Sequence, residues 1–176
     1  RPFYHSADIL ELKAIAPDIY QTFVVRLFER YGRAIDPADV DKVYTLFKGH
    51  TYYMQKTFNE SFADTSEGET CALKIIRAAI DNMIASNDTI FREILSNIPE
   101  RQKELLYAIA KEGEAERITS AEFIKRHKLT SASSVQSAAK KLLEKDLITE
   151  INKVFSLTDK LFALWINKMY GSPMTL

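Results

Sequence analysis

The sequence predicts a mainly α-helical chain that ends in a winged helix-turn-helix with a small β-hairpin. Three observations carry this. Apolar residues return at intervals of three and four along most of the chain. Only five Gly and five Pro occur among 176 residues, so few breakers interrupt those runs. The last 80 or so residues read helix, helix, turn, helix, hairpin, which is the order of a winged helix-turn-helix.

The elements follow in order. Residues 9–15, Ile-Leu-Glu-Leu-Lys-Ala-Ile, alternate weakly and suit one short strand. Pro17 then opens a helix in which Ile19, Tyr20, Phe23, Val24, Leu27, Phe28 and Tyr31 keep helical spacing, closed by Gly32. Asp36-Pro37 is an N-cap followed by proline. The helix it starts buries Val40, Val43, Tyr44 and Phe47 and ends at Gly49. A third helix starts near His50 with Met54, Phe58 and Phe62 on one side. Residues 63–68 read as a loop. A long helix carries Ala72, Ile75, Ile76, Ala79, Ile80, Met83 and Ile84, and Ser86-Asn87-Asp88 breaks it before a short helix with Ile90, Phe91, Ile94 and Leu95.

In the last part, Pro99 opens a helix with Leu105, Leu106 and Ile109 inward, closed near Gly113. Thr119-Ser120 caps a short helix with Phe123 and Ile124. Leu129-Thr130-Ser131 is a tight connection to an amphipathic helix with Val135, Ala138, Ala139, Leu142 and Leu143 inward. Residues 147–150 and 154–157 form the hairpin strands. Thr158-Asp159 caps a last helix bearing Leu161, Phe162, Trp165 and Met169.

Composition narrows the function. The chain is 46% hydrophobic and 27% charged, as globular domains are. Lys+Arg and Asp+Glu are 24 each, so a protein built mainly to coat nucleic acid is disfavoured. The charge is uneven: residues 1–98 carry net −3 and residues 99–176 net +3. A single cysteine, Cys71, excludes a disulfide within the chain and fits a reducing, cytoplasmic setting. No apolar run approaches the ~18 residues of a membrane span, and the first residues lack the apolar core of a signal peptide. The absence of an initiator Met suggests a fragment of something longer.

Catalytic chemistry finds little support. His5, His50 and His127 lie far apart, and with one cysteine they do not make a zinc motif, so no metal site is expected. No G-x-S-x-G elbow and no G-x-x-x-x-G-K-[ST] phosphate loop occur. The chain is not expected to be an enzyme by itself, nor to hold a cofactor. Cys71 reads as a packed thiol in an amphipathic helix.

Two segments stand out. In the helix after the tight turn, Ser133, Ser134, Gln136, Ser137, Lys140 and Lys141 point outward, and Lys153 sits at the wing tip. Ser and Gln bond base edges or phosphates, and Lys neutralises phosphates, so these are the DNA-facing candidates. The same residues also suit a plain solvated face. In Gly49-His50-Thr51-Tyr52-Tyr53-Met54-Gln55, a Gly, a His and paired aromatics meet at a helix start, where unpaired N–H groups favour an anion. The bland alternative is a helix stop followed by core tyrosines.

That second segment resembles the G-H-P-Y-Y-x-Q stretch of the archaeal-type ATPases, in the STAND branch of the AAA+ P-loop superfamily, with Thr51 where proline is usual. Pro2-Phe3-Tyr4 with Ile9-Leu10-Glu11-Leu12 is similar to the stretch after that family's sensor strand. Leu12-Lys13-Ala14-Ile15 with Tyr20, Phe23, Phe28 and Gly32 follows its first lid helix. Phe155-Ser156-Leu157-Thr158-Asp159 leading to Leu164-Trp165 resembles its winged-helix ending.

The resemblance implies an organisation. Residues 1–64 are the end of the ATPase module and a helical lid, 65–97 are connecting helices, 98–170 are the winged-helix domain and 171–176 are a tail. It implies that Gly49 and His50 lie near the nucleotide in the intact parent. The Walker segments, ATP and Mg²⁺ then belong to an upstream P-loop domain of the same chain. The partners this leaves for the chain itself are that domain, duplex DNA or another protein, and no membrane. The function it implies is a regulatory nucleotide-switch module without its own P-loop. The alternative is a winged-helix transcription regulator.

Overall fold

A computed structural model describes residues 14–171. The strand expected over residues 9–15 falls mostly outside that range; Ala14 and Ile15 themselves belong to no strand. The described residues form nine helices and five short strands, divided into two compact units at Ile76/Arg77.

The first unit opens with α1 (Pro17–Arg30), started by proline in its first turn. Strand β1 (Ala34–Ile35) follows, then α2 (Pro37–Phe47) and α3 (Thr51–Ala63). The Asp36 carboxylate accepts the Ala38 N–H at 2.9 Å, the N-cap expected of Asp-Pro. Val24, Phe28, Val40, Val43, Phe47 and Met54 fill the core. Strand β2 (Thr70–Cys71) pairs parallel with β1, Ala34 against Thr70 and Ile35 against Cys71. Cys71 is buried as expected, but in this strand and not in a helix, because α4 (Leu73–Ser86) begins two residues later. The seven apolar residues that the spacing assigned to this helix do not share one fate, and Tyr31 is its C-cap. Tyr20, Val24 and Phe28 are buried, whereas Ile19, Phe23 and Tyr31 are exposed. Seven such positions spread over more of the helix circumference than one neighbouring layer covers.

The second unit holds the rest of α4, α5 (Asp88–Ser96) and the winged helix. Helix α6 (Glu100–Glu112) ends at Gly113, whose φ of +72° is the left-handed stop that glycine permits. Strand β3 (Ala115–Glu116) leads to α7 (Ala121–Arg126), capped by Ser120 Oγ on the Phe123 N–H at 3.2 Å. Ser131 caps α8 (Ala132–Glu144) through the Ser134 N–H at the same distance. Strands β4 (Ile148–Ile151) and β5 (Val154–Leu157) form the wing, with Asn152 and Lys153 both at positive φ in its two-residue turn. The sheet order is β3-β5-β4, antiparallel throughout, so β3 is an added edge strand. Helix α9 (Lys160–Tyr170) closes the unit, its first N–H groups held by Asp159 at 2.8 and 3.1 Å. Leu105, Leu106, Ile109, Leu142, Phe162 and Trp165 make the core, while Met169 is exposed near the helix end.

Among the described residues, no helix is long and apolar enough to cross a membrane.

Candidate functional site

The Gly49-His50 segment sits between α2 and α3. Helix α2 stops because Lys48 takes up the left-handed conformation, with its N–H and that of Gly49 donating back to Thr45 and Tyr44 carbonyls. Gly49 is also left-handed, at φ +76°, and buried. A Cβ there would lie 2.8 Å from the Tyr44 hydroxyl oxygen and 3.1 Å from the Ala14 Cβ. The Tyr44 hydroxyl in turn donates to the Ile15 carbonyl at 2.6 Å. Glycine is therefore needed twice, for the backbone angle and for the close approach. Tyr44 ties the chain entering α1 to the Gly49 turn.

His50 is the N-cap of α3 in extended conformation, exposed, with no side-chain capping bond. Its ring stacks on Tyr53 with centroids 4.5 Å apart, and Tyr53 leans on Phe47 at 5.4 Å. The imidazole is thus oriented from behind while its edge faces solvent. Helix α3 has 13 residues and no acidic residue in its first turn. The N–H groups of Thr51 and Tyr52 point out of the helix start, as the first N–H groups of any helix do. Their partial positive charge suits an anion. Sequence reasoning found Gly49 and His50 but not Tyr44, which had only the look of a core residue. Its role depends on a carbonyl 29 positions away, and no local pattern reports that.

The DNA-facing candidates lie in α8 and the wing. Ser133, Gln136, Ser137, Lys140 and Lys141 are exposed; Ser134 is half-buried, its N–H held by Ser131. The Ser133 hydroxyl lies 3.2 Å from that of Ser131. The Lys141 ammonium donates to Glu144 at 2.7 Å, and that bond holds the Glu144 carboxyl below the usual carboxylate range. Lys153 is exposed at the wing tip. In α7, Arg126 is occupied by Glu112 and Glu122. The neighbouring His127 side chain is only 7% exposed, with Nε2 2.7 Å from Glu112. That bond, then Arg126, draws the Glu112 carboxyl below its usual range against the effect of burial.

Among the described residues, no cluster of three or more His, Cys, Asp or Glu side chains forms a possible metal site. Tyr20 is pushed up to about 12 by burial and stays neutral at physiological pH.

Comparison with known proteins agrees with this architecture. Residues 89–168 match the family described as "Probable winged helix domain". No curated protein sequence matches the chain. Among solved structures, a Walker-type ATPase of Pyrococcus abyssi is similar over 85% of this chain and 41% of its own, with a TM-score of 0.62 and 12% identity. At that identity the likeness is one of fold, and this chain spans about two fifths of that protein's length. The chain thus contains a winged-helix domain, and over 85% of its length its fold is similar to part of an archaeal ATPase.

Proposed function

We propose that this chain is the C-terminal lid and winged-helix part of an AAA+/STAND-type ATPase, and serves there as a regulatory nucleotide switch. The observation that supports it best is Gly49-His50. An exposed imidazole and an uncapped helix start stand together, in a chain that folds like part of an archaeal Walker-type ATPase. In this reading an upstream P-loop domain binds ATP and Mg²⁺. What the described residues offer is an anion-compatible helix N-terminus and a hydrogen-bonding ring. The Gly49 turn fixes both relative to α2, and Tyr44 fixes them relative to the chain entering α1. A nucleotide meeting this edge holds the lid in one position; its loss releases it.

The test is His50→Ala in the protein that carries the upstream domain. Loss of one such bond is worth about 0.5–1.5 kcal/mol, or up to ~3 with a charged partner. Nucleotide exchange and hydrolysis should therefore change by roughly 2- to 100-fold, with an unchanged melting temperature because the ring is exposed. Wild-type rates would remove His50 from the mechanism.

A second reading, a winged-helix DNA regulator, is favoured by the exposed row Gln136, Ser137 and Lys140 on α8. The switch reading expects only non-specific duplex binding, about 10⁻⁴–10⁻⁶ M at physiological salt. Recovery of one nanomolar sequence in a binding-site selection would favour the regulator.

A further inference from the structure

Helix α1 carries an apolar row that the described residues of its unit leave largely exposed. Ile19 is 60% and Phe23 54% exposed, and Ile15 and Tyr31 are exposed as well. On the helix itself Ile19, Phe23 and the half-buried Leu27 recur every fourth residue and form one ridge, with Ile15 just before the helix and Tyr31 just after it. Asp18, Thr22, Arg26 and Arg30 form the next ridge, and a shallow groove runs between the two. Scattered surface apolar residues need no explanation, but a continuous ridge beside a groove does.

We propose that this face joins two copies of the chain, with their α1 helices antiparallel about a two-fold axis near Phe23. The charges select this occupant. Asp18 stands five residues before Phe23, and Arg26 and Arg30 stand three and seven after it. At 1.5 Å per residue, Asp18 lies ~7.5 Å from the axis on one side, and the arginines ~4.5 and ~10.5 Å on the other. The two-fold axis sets each Asp18 between Arg26 and Arg30 of the other copy. The same face of each copy meets the other, Phe23 against Phe23 near the axis, as an isologous contact requires. Neither Asp18 nor Arg26 makes an ion pair within the chain among the described residues. The net charge is zero, so the copies do not repel as wholes. One helix pair buries less than the ~800 Å² per partner of a standard interface, so the dimer is expected to dissociate at about 10–100 μM.

Sedimentation equilibrium of the 176-residue chain from about 5 to 300 μM, bracketing that range, tests the proposal. A reversible monomer–dimer equilibrium is expected. Phe23→Asp should abolish it while leaving the melting temperature unchanged, since Phe23 is exposed. Asp18→Arg should weaken it at least tenfold. The triple variant Asp18→Arg, Arg26→Asp, Arg30→Asp should restore it. Because native Cys71 is buried, Thr22→Cys should give a disulfide-linked dimer on mild oxidation, and Thr45→Cys, exposed on α2, should not. A chain that is monomeric throughout, including one whose face is covered only by a different protein, overturns the proposal. So does a dimer indifferent to Phe23→Asp.

Discussion

Replacing Gly49 by alanine should destabilise the first unit by about 2–4 kcal/mol, from two sources that can be separated. The backbone angle is the first: at φ +76° an L-residue costs about 1–2 kcal/mol. Contact is the second. The new Cβ would meet the Tyr44 hydroxyl oxygen at 2.8 Å and its ring carbon at 3.1 Å. A phenol tip often swings away cheaply, but this one is bound to the Ile15 carbonyl at 2.6 Å. Moving it sacrifices a hydrogen bond worth about 0.5–1.5 kcal/mol and disturbs the packing around Tyr20, whose ring lies 6.2 Å away. With a urea m-value of about 1–3 kcal/mol/M, the midpoint should fall by roughly 0.7–4 M. The only tryptophan, Trp165, lies in the other unit, so the readouts are far-UV circular dichroism and hydrogen exchange of α2 and α3 amides. Combining Gly49→Ala with Tyr44→Phe removes the hydroxyl that the Cβ meets. The double variant should lose less than the two singles together. Strict additivity, or a loss under about 0.5 kcal/mol for Gly49→Ala, would refute the reasoning.

Three further predictions concern other places in the fold. Thr51 is the first residue of α3, and His50 before it is already extended at φ −68°, ψ 100°. Thr51→Pro should therefore fold and gain about 0.4–1 kcal/mol by urea denaturation. Lys153 holds φ +67° in the wing turn after Asn152. Lys153→Gly should raise the stability of the second unit by up to about 1 kcal/mol, read by Trp165 fluorescence. Asp88 accepts from Arg92 at 2.8 Å and from the Trp165 indole at 2.9 Å, and these bonds, Arg92 first, hold its carboxyl below the usual range. A lowered folded-state value gives stability that is present above the ordinary Asp value of about 3.9 and lost as pH falls through the folded one. The stability gap between wild type and Asp88→Asn should thus be constant from neutral pH to about pH 5 and close below about pH 4. A gap unchanged at pH 3 would contradict the assignment.

What the sequence disclosed was what neighbouring residues decide. The caps at Asp36, Ser120 and Asp159 were legible because donor and acceptor lie within three positions of each other, whereas Ser131, read only as part of a tight connection, also caps α8. The winged helix was legible because its helices and hairpin follow one another in the expected order, although Ile151 belongs to β4 and leaves only Asn152-Lys153 in the turn. Strands β1, β2 and β3 were not. Two residues have no period, and their partners lie 36 to 40 positions away. The same distance problem misplaced Cys71, whose apolar neighbours read as the start of α4 until β1 claimed it. In the candidate site, Gly49 and His50 could be named from their order alone. The reason Gly49 is glycine could not, since it lies in the Tyr44 hydroxyl and the Ile15 carbonyl that binds it. Helix α1 shows the opposite failure: its periodicity was plain, but periodicity counts apolar positions without saying which of them the unit covers.

The charge pattern of the winged helix bears on the choice between the two readings of its role. A helix-turn-helix reaches DNA through cations left free to meet phosphates, and each phosphate neutralised steepens the salt dependence by about 0.9 in the logarithmic slope. Here the chain consumes part of its own supply. Arg126 is engaged by Glu112 and Glu122, Lys141 by Glu144, and Lys168 by Asp81. Within α7, α8, the turn between them and the wing, Lys125, Lys128, Lys140 and Lys153 stand exposed without an ion pair among the described residues, while Lys145 donates to the Asn97 carbonyl. Four such lysines give a slope of no more than about −3.6, and only if all four meet phosphate in one pose. Arginine, the usual reader of guanine edges, is missing from the exposed face of α8. Four free lysines with no arginine on the reading helix suit weak, non-specific contact with a polyanion better than the reading of one sequence. That favours the switch reading over the regulator on grounds independent of Gly49 and His50.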